Sequence, residues 1–486
     1  MHRTRKLLKT TRPYVLWAAL LSAGCGGAET TIPITTSSEE ARADLISGRA
    51  LTDNLRLLEA REYFVLATEK DPRFALAFLY AAQTATSAAE GQRLLRRAVG
   101  LASQVSEGER WMILAQQAGI NDDRDRRVAL MEQLVEKYPK DKRAHWLLGL
   151  AYGNDRSAES LAAMKKAVKL DQNYAPAVNN LGYLYFNKGE YKKSEKAFDK
   201  YIKLIPDEAN PYDSMADLYT AMGQLEKANE FYAQAFERNA KFTISLRKIA
   251  LNQLFLRQYD QARDNLRQVL DLEETNNDRL ADMLLIGRSY IYEGRYAEAL
   301  ELFDEGLALA KKANLPTRIL QMQFSKWMIH WHLGALGEAD EMLAAIEVDL
   351  GNYDYTPAFF NYITNGLVMV KTLMAISHED PDAAHQVIED FHADLADDDQ
   401  GGQKAYHSAM FVVAYYQGDY QASIDHAEQG GQGSAYLFYY RALAHRQLGQ
   451  IDEARKLLDK VAHWNKDSDL YPLIRDEAVA ALESLQ

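Results

Sequence analysis

A single cysteine stands among 486 residues, Cys25, and it follows closely on the apolar run Tyr14 to Leu21. One thiol cannot close a disulfide within its own chain, so its chemistry has to be sought in its neighbours. Arg3, Arg5, Lys6, Lys9 and Arg12 precede it with no acidic residue, then the apolar run, then the small residues Ser22, Ala23 and Gly24. A basic start, a short apolar centre and a small-residue end predict a secretory signal segment. The run is far shorter than the roughly 20 residues a spanning helix needs. No later stretch reads as long and apolar enough to span either.

The other reactive side chains do not converge. There is no His-Glu-x-x-His zinc pattern, no Gly-rich phosphate loop and no Gly-x-Ser-x-Gly elbow. His330 and His332 stand two apart and would leave a helix on different sides. His385, Glu389 and His392 share a helix face, but the two imidazoles are separated by about 10.5 Å of rise, too far to grip one metal ion. The aspartates of "ADLADDDQGGQ" (393 to 403) lack the spacing of a calcium loop and predict a helix-breaking loop. The sequence therefore predicts no catalytic residue, no metal and no cofactor, and the chain reads as a non-enzyme.

Ala23-Gly24-Cys25 resembles the end of the bacterial lipoprotein signal, with Ser22 standing where leucine is commonest and Leu21 one place earlier. The resemblance implies that residues 1–24 are removed and that Cys25 carries lipid. It also implies an exported, membrane-anchored protein. Gly26 in place of the aspartate that marks inner-membrane retention implies the outer membrane in a two-membraned cell. Residues 25–40, "CGGAETTIPITTSSEE", are mostly small and polar and predict a flexible tether. The chain carries 56 basic and 69 acidic residues, net −13; without the five basic residues before Cys25 the balance is 51 to 69, net −18. Such a surface repels phosphate backbones and argues against nucleic acid as a partner. Contact with a membrane is expected through the lipid.

These pieces must be carried by the elements that follow, and those elements recur. Residues 175 to 208 and 209 to 242 align so that Tyr185 faces Tyr219, Gly189 faces Gly223, Ser194 faces Ala228 and Phe198 faces Tyr232, each pair 34 residues apart. This period and pattern resemble the tetratricopeptide repeat, a helix–turn–helix unit of 34 residues. Gly182 and Ser194 are small where two helices would cross, Gly189 suits a turn that ends the first helix, and Pro206 terminates the second. Tyr201 is the one departure, in place of a small residue. The pattern continues from Gly48, Ala60 and Phe64 to "HRQLGQIDEARKLLDKV" near the carboxyl end, with Arg257 occupying one turn-glycine position. It predicts an all-α, TPR-type α-solenoid, a right-handed superhelix of about twelve repeats over 41–468, weakest at 357–403, and closed by a capping helix at 469–486.

In this family the first helix of each pair lines a concave groove. Carried onto this chain, the fifth unit presents Asn179, Tyr183 and Phe186, the sixth Asp213, Asp217 and Thr220, and the seventh Arg247. Tyr415, Tyr436 and Tyr439 line the last turns. Exposed rings beside amides suit an extended peptide. Asp213 and Asp217 stand where family members that grip a terminal carboxylate need amide or positive groups, which argues against that mode. The resemblance thus implies a lipid-anchored envelope scaffold that holds a protein or peptide segment in its groove. The alternative is a glycan-capture lipoprotein of a nutrient importer, against which the regularity of the repeats counts.

Overall fold

The computed structural model describes residues 30 to 485 apart from 55, 397–398, 431–433 and 467. The signal segment and the lipidation site expected from the sequence, residues 1–24 and Cys25, lie outside the described residues. Those described form 25 α-helices, one short 3₁₀ turn and no strand. The chain divides into two compact units, one up to Ala177 and one from Val178.

The first unit holds four hairpins: α1 (Glu39–Asp53) with α2 (Leu57–Lys70), α3 (Ala75–Gln83) with α4 (Ala88–Leu101), α5 (Glu107–Ile120) with α6 (Arg124–Lys137), and α7 (Lys142–Tyr152) with α8 (Ser157–Leu170). Helix α9 (Ala175–Asn187) begins at the division and pairs with α10 (Tyr191–Leu204). Then follow α11 (Asn210–Ala221) with α12 (Leu225–Arg238), α13 (Thr243–Phe255) with α14 (Tyr259–Leu272), and α15 (Asn276–Tyr292) with α16 (Tyr296–Lys312). The remaining pairs are α17 (Pro316–His332) with α18 (Leu336–Asn352), α19 (Pro357–Ser377) with α20 (Pro381–Ala393), α21 (Gln400–Tyr416) with α22 (Tyr420–Gln429), and α23 (Ala435–Gln447) with α24 (Ile451–Ala462). A last helix, α25 (Tyr471–Glu483), closes the chain.

One contact recurs in the hairpins. A Cβ added to Gly182 on α9 would lie 2.2 Å from Phe198 on α10, so only a hydrogen leaves room for the ring. The same holds for Gly48 with Phe64 (2.5 Å), Gly149 with Met164 (2.7 Å) and Gly287 with Phe303 (2.2 Å). Beside the crossing, the Ser194 hydroxyl donates to the Gly182 carbonyl at 2.9 Å, and Ser160 to that of Gly149 at 2.8 Å. The hydroxyl satisfies itself on the facing helix while staying small, so the two backbones come close without burying an orphan polar atom. Tyr201, the departure from the pattern, is buried with its hydroxyl donating to Asn210 at 2.9 Å. Between paired helices the backbone turns through positive φ, +70° at Gly189. Arg257 takes the same conformation (φ +59°), which for a residue with a Cβ costs about 1–2 kcal/mol.

Three features depart from the sequence expectations. Residues 31–37, expected to be part of a free tether, pack Ile32 and Ile34 against the core of the first unit. Two β-branched apolar residues in a polar run give that segment something to bury. Helix α19 does reach the length and composition of a membrane span over Ala358–Ser377, with mean hydropathy 1.2, though no other stretch was expected to. Its buried Leu367, Val368, Val370, Leu373 and Met374 belong to the repeat core, and it packs chiefly on α20 and α21. Only 33% of that span is buried, so much of its apolar surface is not covered by the repeats. Finally, α25 caps α23 and α24 but also reaches back to α13 and α15. Arg475 donates to the carbonyls of Leu254 (3.0 Å) and Phe255 (2.5 Å) at the end of α13, and Tyr471 meets the Tyr292 ring edge-on at 6.1 Å.

The crossing makes a checkable statement. Gly182→Ala should lower stability by about 1–3 kcal/mol, because Phe198 cannot move away without opening the hairpin. Gly366→Ala, in mid-α19 where an added Cβ meets nothing, should leave stability unchanged or raise it by up to about 1 kcal/mol. Urea unfolding of the two variants side by side measures both.

Candidate functional site

The residues assigned to the inner face of the fifth to seventh hairpins are brought together, but largely by bonding to one another and to their neighbours. The Asn179 side-chain oxygen accepts from Ser214 at 3.1 Å, Lys248 donates to Asp213 at 2.7 Å, and Arg247 donates to Asp282 at 3.1 Å. Each pair is 35 residues apart, one more than the repeat period. The offset carries each side chain onto the next hairpin, so the first helices of successive pairs are stitched by a polar ladder. Lys248 also donates to Asp217 at 2.7 Å, whose other oxygen accepts from the Tyr183 hydroxyl at 2.7 Å. Tyr232 donates to Asp217 at 2.6 Å and Ser245 to Asp213 at 2.8 Å.

Each cation in this ladder is shared by two carboxylates, Lys248 by Asp213 and Asp217 and Arg247 by Glu273 and Asp282. Burial lowers the Lys248 ammonium's pKa, but Asp213 and Asp217 outweigh that and hold it above the ordinary lysine value. Burial pushes the Asp213 carboxyl up, against the opposing pull of Lys248 and Ser245. Burial, then the Asp217 charge, pushes the Tyr183 hydroxyl far above the ordinary tyrosine value, so it is a fixed donor.

Tyr183 also packs edge-on against Phe198 at 5.1 Å, and half-buried Phe186 lies between Tyr183 and Tyr191. Thr220 takes Asn252 on its hydroxyl at 3.2 Å and Asn465 on its carbonyl at 2.6 Å. Tyr415 stacks edge-on with Tyr416, Tyr420 and Tyr440. Tyr436 and Tyr439 are 3% and 6% exposed, the latter donating to Glu477 of α25 at 3.2 Å. Sequence reasoning missed Lys248, Ser214 and Ser245, whose signal is charge and hydroxyl complementarity at an offset close to the repeat length.

Unsatisfied surface lies further along. Because α19 meets α18 only at its margin, a cavity of about 260 Å³ opens between α15, α17 and α19. Leu284, Leu320, Phe324, Phe359, Ile363 and Gly366 line it. Arg288 and Asp469, ion-paired at 2.6 Å, stand with Gln321 and Ser325 among its polar lining. Tyr362, which also lines it, is 71% exposed. This cleft falls where the repeat pattern is weakest, and the signal for it was the aromatic cluster "FFNYI" at 359 to 363. Among the described residues no three His, Cys, Asp or Glu side chains gather as a metal site. His385 instead bonds Gln417 at 2.9 Å, and His392 stacks on Tyr406 at 4.4 Å.

Tetratricopeptide-repeat families match residues 122–175, 175–208, 209–242, 283–316 and 436–463. With the hairpin geometry above, the chain is a tetratricopeptide-repeat protein with the α-solenoid fold of that family. Among solved structures it is similar to MamA (23% identity, 33% of this chain and 94% of that one, TM-score 0.29). A second is MamA from Desulfovibrio magneticus RS-1 (15% identity, 34% and 95%, TM-score 0.30). A third is YrrB, described as a TPR protein with an unusual peptide-binding site (18% identity, 37% and 91%, TM-score 0.29). No curated protein sequence matches the chain.

The ladder predicts a pH-dependent lesion. Lys248→Met leaves the buried Asp213 and the half-buried Asp217 with no cation between them, which at neutral pH should cost about 2–4 kcal/mol, the lower end reflecting the partial exposure of Lys248 and Asp217. In that variant the folded-state carboxyl pKa lies above the unfolded value, so protonation favours the folded state. The deficit relative to wild type should therefore shrink as pH falls through the carboxylate range. Unfolding curves at pH 7 and pH 4.5 test this; a pH-independent deficit contradicts it.

Proposed function

We propose that this chain is a lipid-anchored scaffold of the cell envelope that holds a peptide segment of a partner protein, with one bulky apolar side chain seated in the α15–α17–α19 cleft. The cleft itself carries the reading. At about 260 Å³ it is smaller than the roughly 300–1,000 Å³ of typical small-molecule sites but suits a single side-chain anchor. Apolar walls supply the affinity, while Gln321 and Ser325 offer hydrogen bonds to a peptide backbone. The ladder from Asn179 to Asp282 supports it from the other direction: those side chains are spent on joining hairpins, which leaves the cleft as the less satisfied part of the surface.

Gly366 makes the test clean, since it lines the cleft and a Cβ added there would have no heavy atom within 4 Å. Peptides selected from a displayed random library on the wild-type protein should carry a large apolar residue. Gly366→Leu should weaken the best of them at least tenfold by calorimetry, with Tm unchanged, and Tyr362→Ala should weaken it several-fold. Selection of no peptide, together with retention on a polysaccharide column, would favour glycan capture instead.

Anchoring is tested separately. Cys25→Ser should move the protein from the membrane fraction to the soluble exported fraction and remove incorporation of labelled fatty acid. Membrane fractionation unchanged by the substitution contradicts the lipid reading.

A further inference from the structure

The segment that follows the anchor position is bound by its own repeats. The Ile32 amide donates to Asp141 at 2.9 Å, in the junction between α6 and α7. The Thr35 amide donates to Glu109 at 2.7 Å and its hydroxyl to the same carboxylate at 2.5 Å, at the start of α5. The Thr36 hydroxyl donates to Asp71 at 2.5 Å, in the junction between α2 and α3. Arg42, from α1, holds the Ile34 carbonyl at 2.8 Å. Ile32 lies over Gly108, whose lack of a side chain admits it: an added Cβ would be 3.1 Å from the Ile32 methyl. Glu109 is fully buried beneath, also accepting from Ser106. Running from Thr36 back to Ile32, the segment crosses three successive hairpin junctions of the first unit, all on the edge where the first helices begin.

We infer that residues 31–36 are a strap that docks the anchored end of the chain along this junction edge, so that the edge faces the membrane holding the Cys25 lipid. This rests on the lipid reading above. Chain length carries the argument. Seven residue steps separate Cys25 from Ile32, a span of at most about 25 Å. Were the chain free up to Ala41, the first buried residue of α1, sixteen steps would allow about 55 Å and any orientation. Docking thus holds the α6–α7 junction close to the bilayer. Exposed Arg73 and Lys140 lie in two of these junctions, where anionic headgroups would meet them.

The lipidated protein is reconstituted in phosphatidylethanolamine–phosphatidylglycerol vesicles carrying a headgroup acceptor dye, with a donor dye on Lys140→Cys or Asp125→Cys. Asp125 lies in the first turn of α6 and Lys140 just beyond its end, and the helix's 14 residues span about 21 Å. Energy transfer should be several-fold higher from position 140 than from 125. Thr35→Pro, which removes both donors to Glu109 and changes no residue of the repeats, should abolish the difference while vesicle binding persists. In the same variant the Ile32 amide should exchange at least tenfold faster with solvent. Equal transfer from both positions on bound wild type, or a difference that survives Thr35→Pro, overturns the strap and leaves the lipid anchor standing. Failure of the wild type to bind vesicles overturns the anchor and this orientation with it.

Discussion

The approach of Gly182 to the ring of Phe198 is the contact on which the rest depends. A hairpin of two helices buries too little apolar surface to persist alone, so each must stack on its neighbours, and stacking needs every hairpin to have the same thickness. A missing side chain on the first helix and a bulky one on the second set that thickness at Gly48, Gly149, Gly182 and Gly287. The serine hydroxyls beside the crossing add a hydrogen bond without adding width. Once the thickness is uniform, side chains 35 residues apart meet across adjacent first helices. The polar ladder follows from that geometry.

The period encodes contacts within and between adjacent hairpins, and those were legible. Small residues such as Gly182 and Ser194, a bulky one such as Phe198 and the turn at Gly189 recur because the same crossing and turn are made again along the chain, and Arg257 took the glycine's conformation because the turn is imposed by the helices on either side. Contacts made once leave no period. Ile32 on Gly108, and Arg475 on the end of α13, join residues 76 and more than 200 positions apart, and neither partner repeats. On the inner face Arg247, expected there, reaches forward to Asp282, and its neighbour Lys248, which was not expected, meets Asp213 and Asp217. Tyr436 and Tyr439 were expected on the open groove because a tyrosine at an inward position looks the same whether a partner covers it or, as here, Trp331 and Tyr440 pack on Tyr436 and α25 meets Tyr439.

Irregularity is where surface remains unspent. Regular hairpins satisfy one another, and the ladder consumes their charged and amide groups. Around α19 the pattern loosens, α18 and α19 part, and apolar walls that would elsewhere be covered face solvent with Tyr362 beside them. A scaffold assembled from equal units gains a specific binding place by breaking their equality.

The central claim is that this break receives a partner's peptide segment. A photo-crosslinking amino acid at position 362, expressed in cells, addresses it directly. A discrete adduct to one protein should form from 362, should be absent from the same amino acid at Lys192 on α10, and should vanish when Gly366→Leu fills the cleft. An adduct of equal yield in the Gly366→Leu background, or adducts indistinguishable between positions 362 and 192, would contradict it.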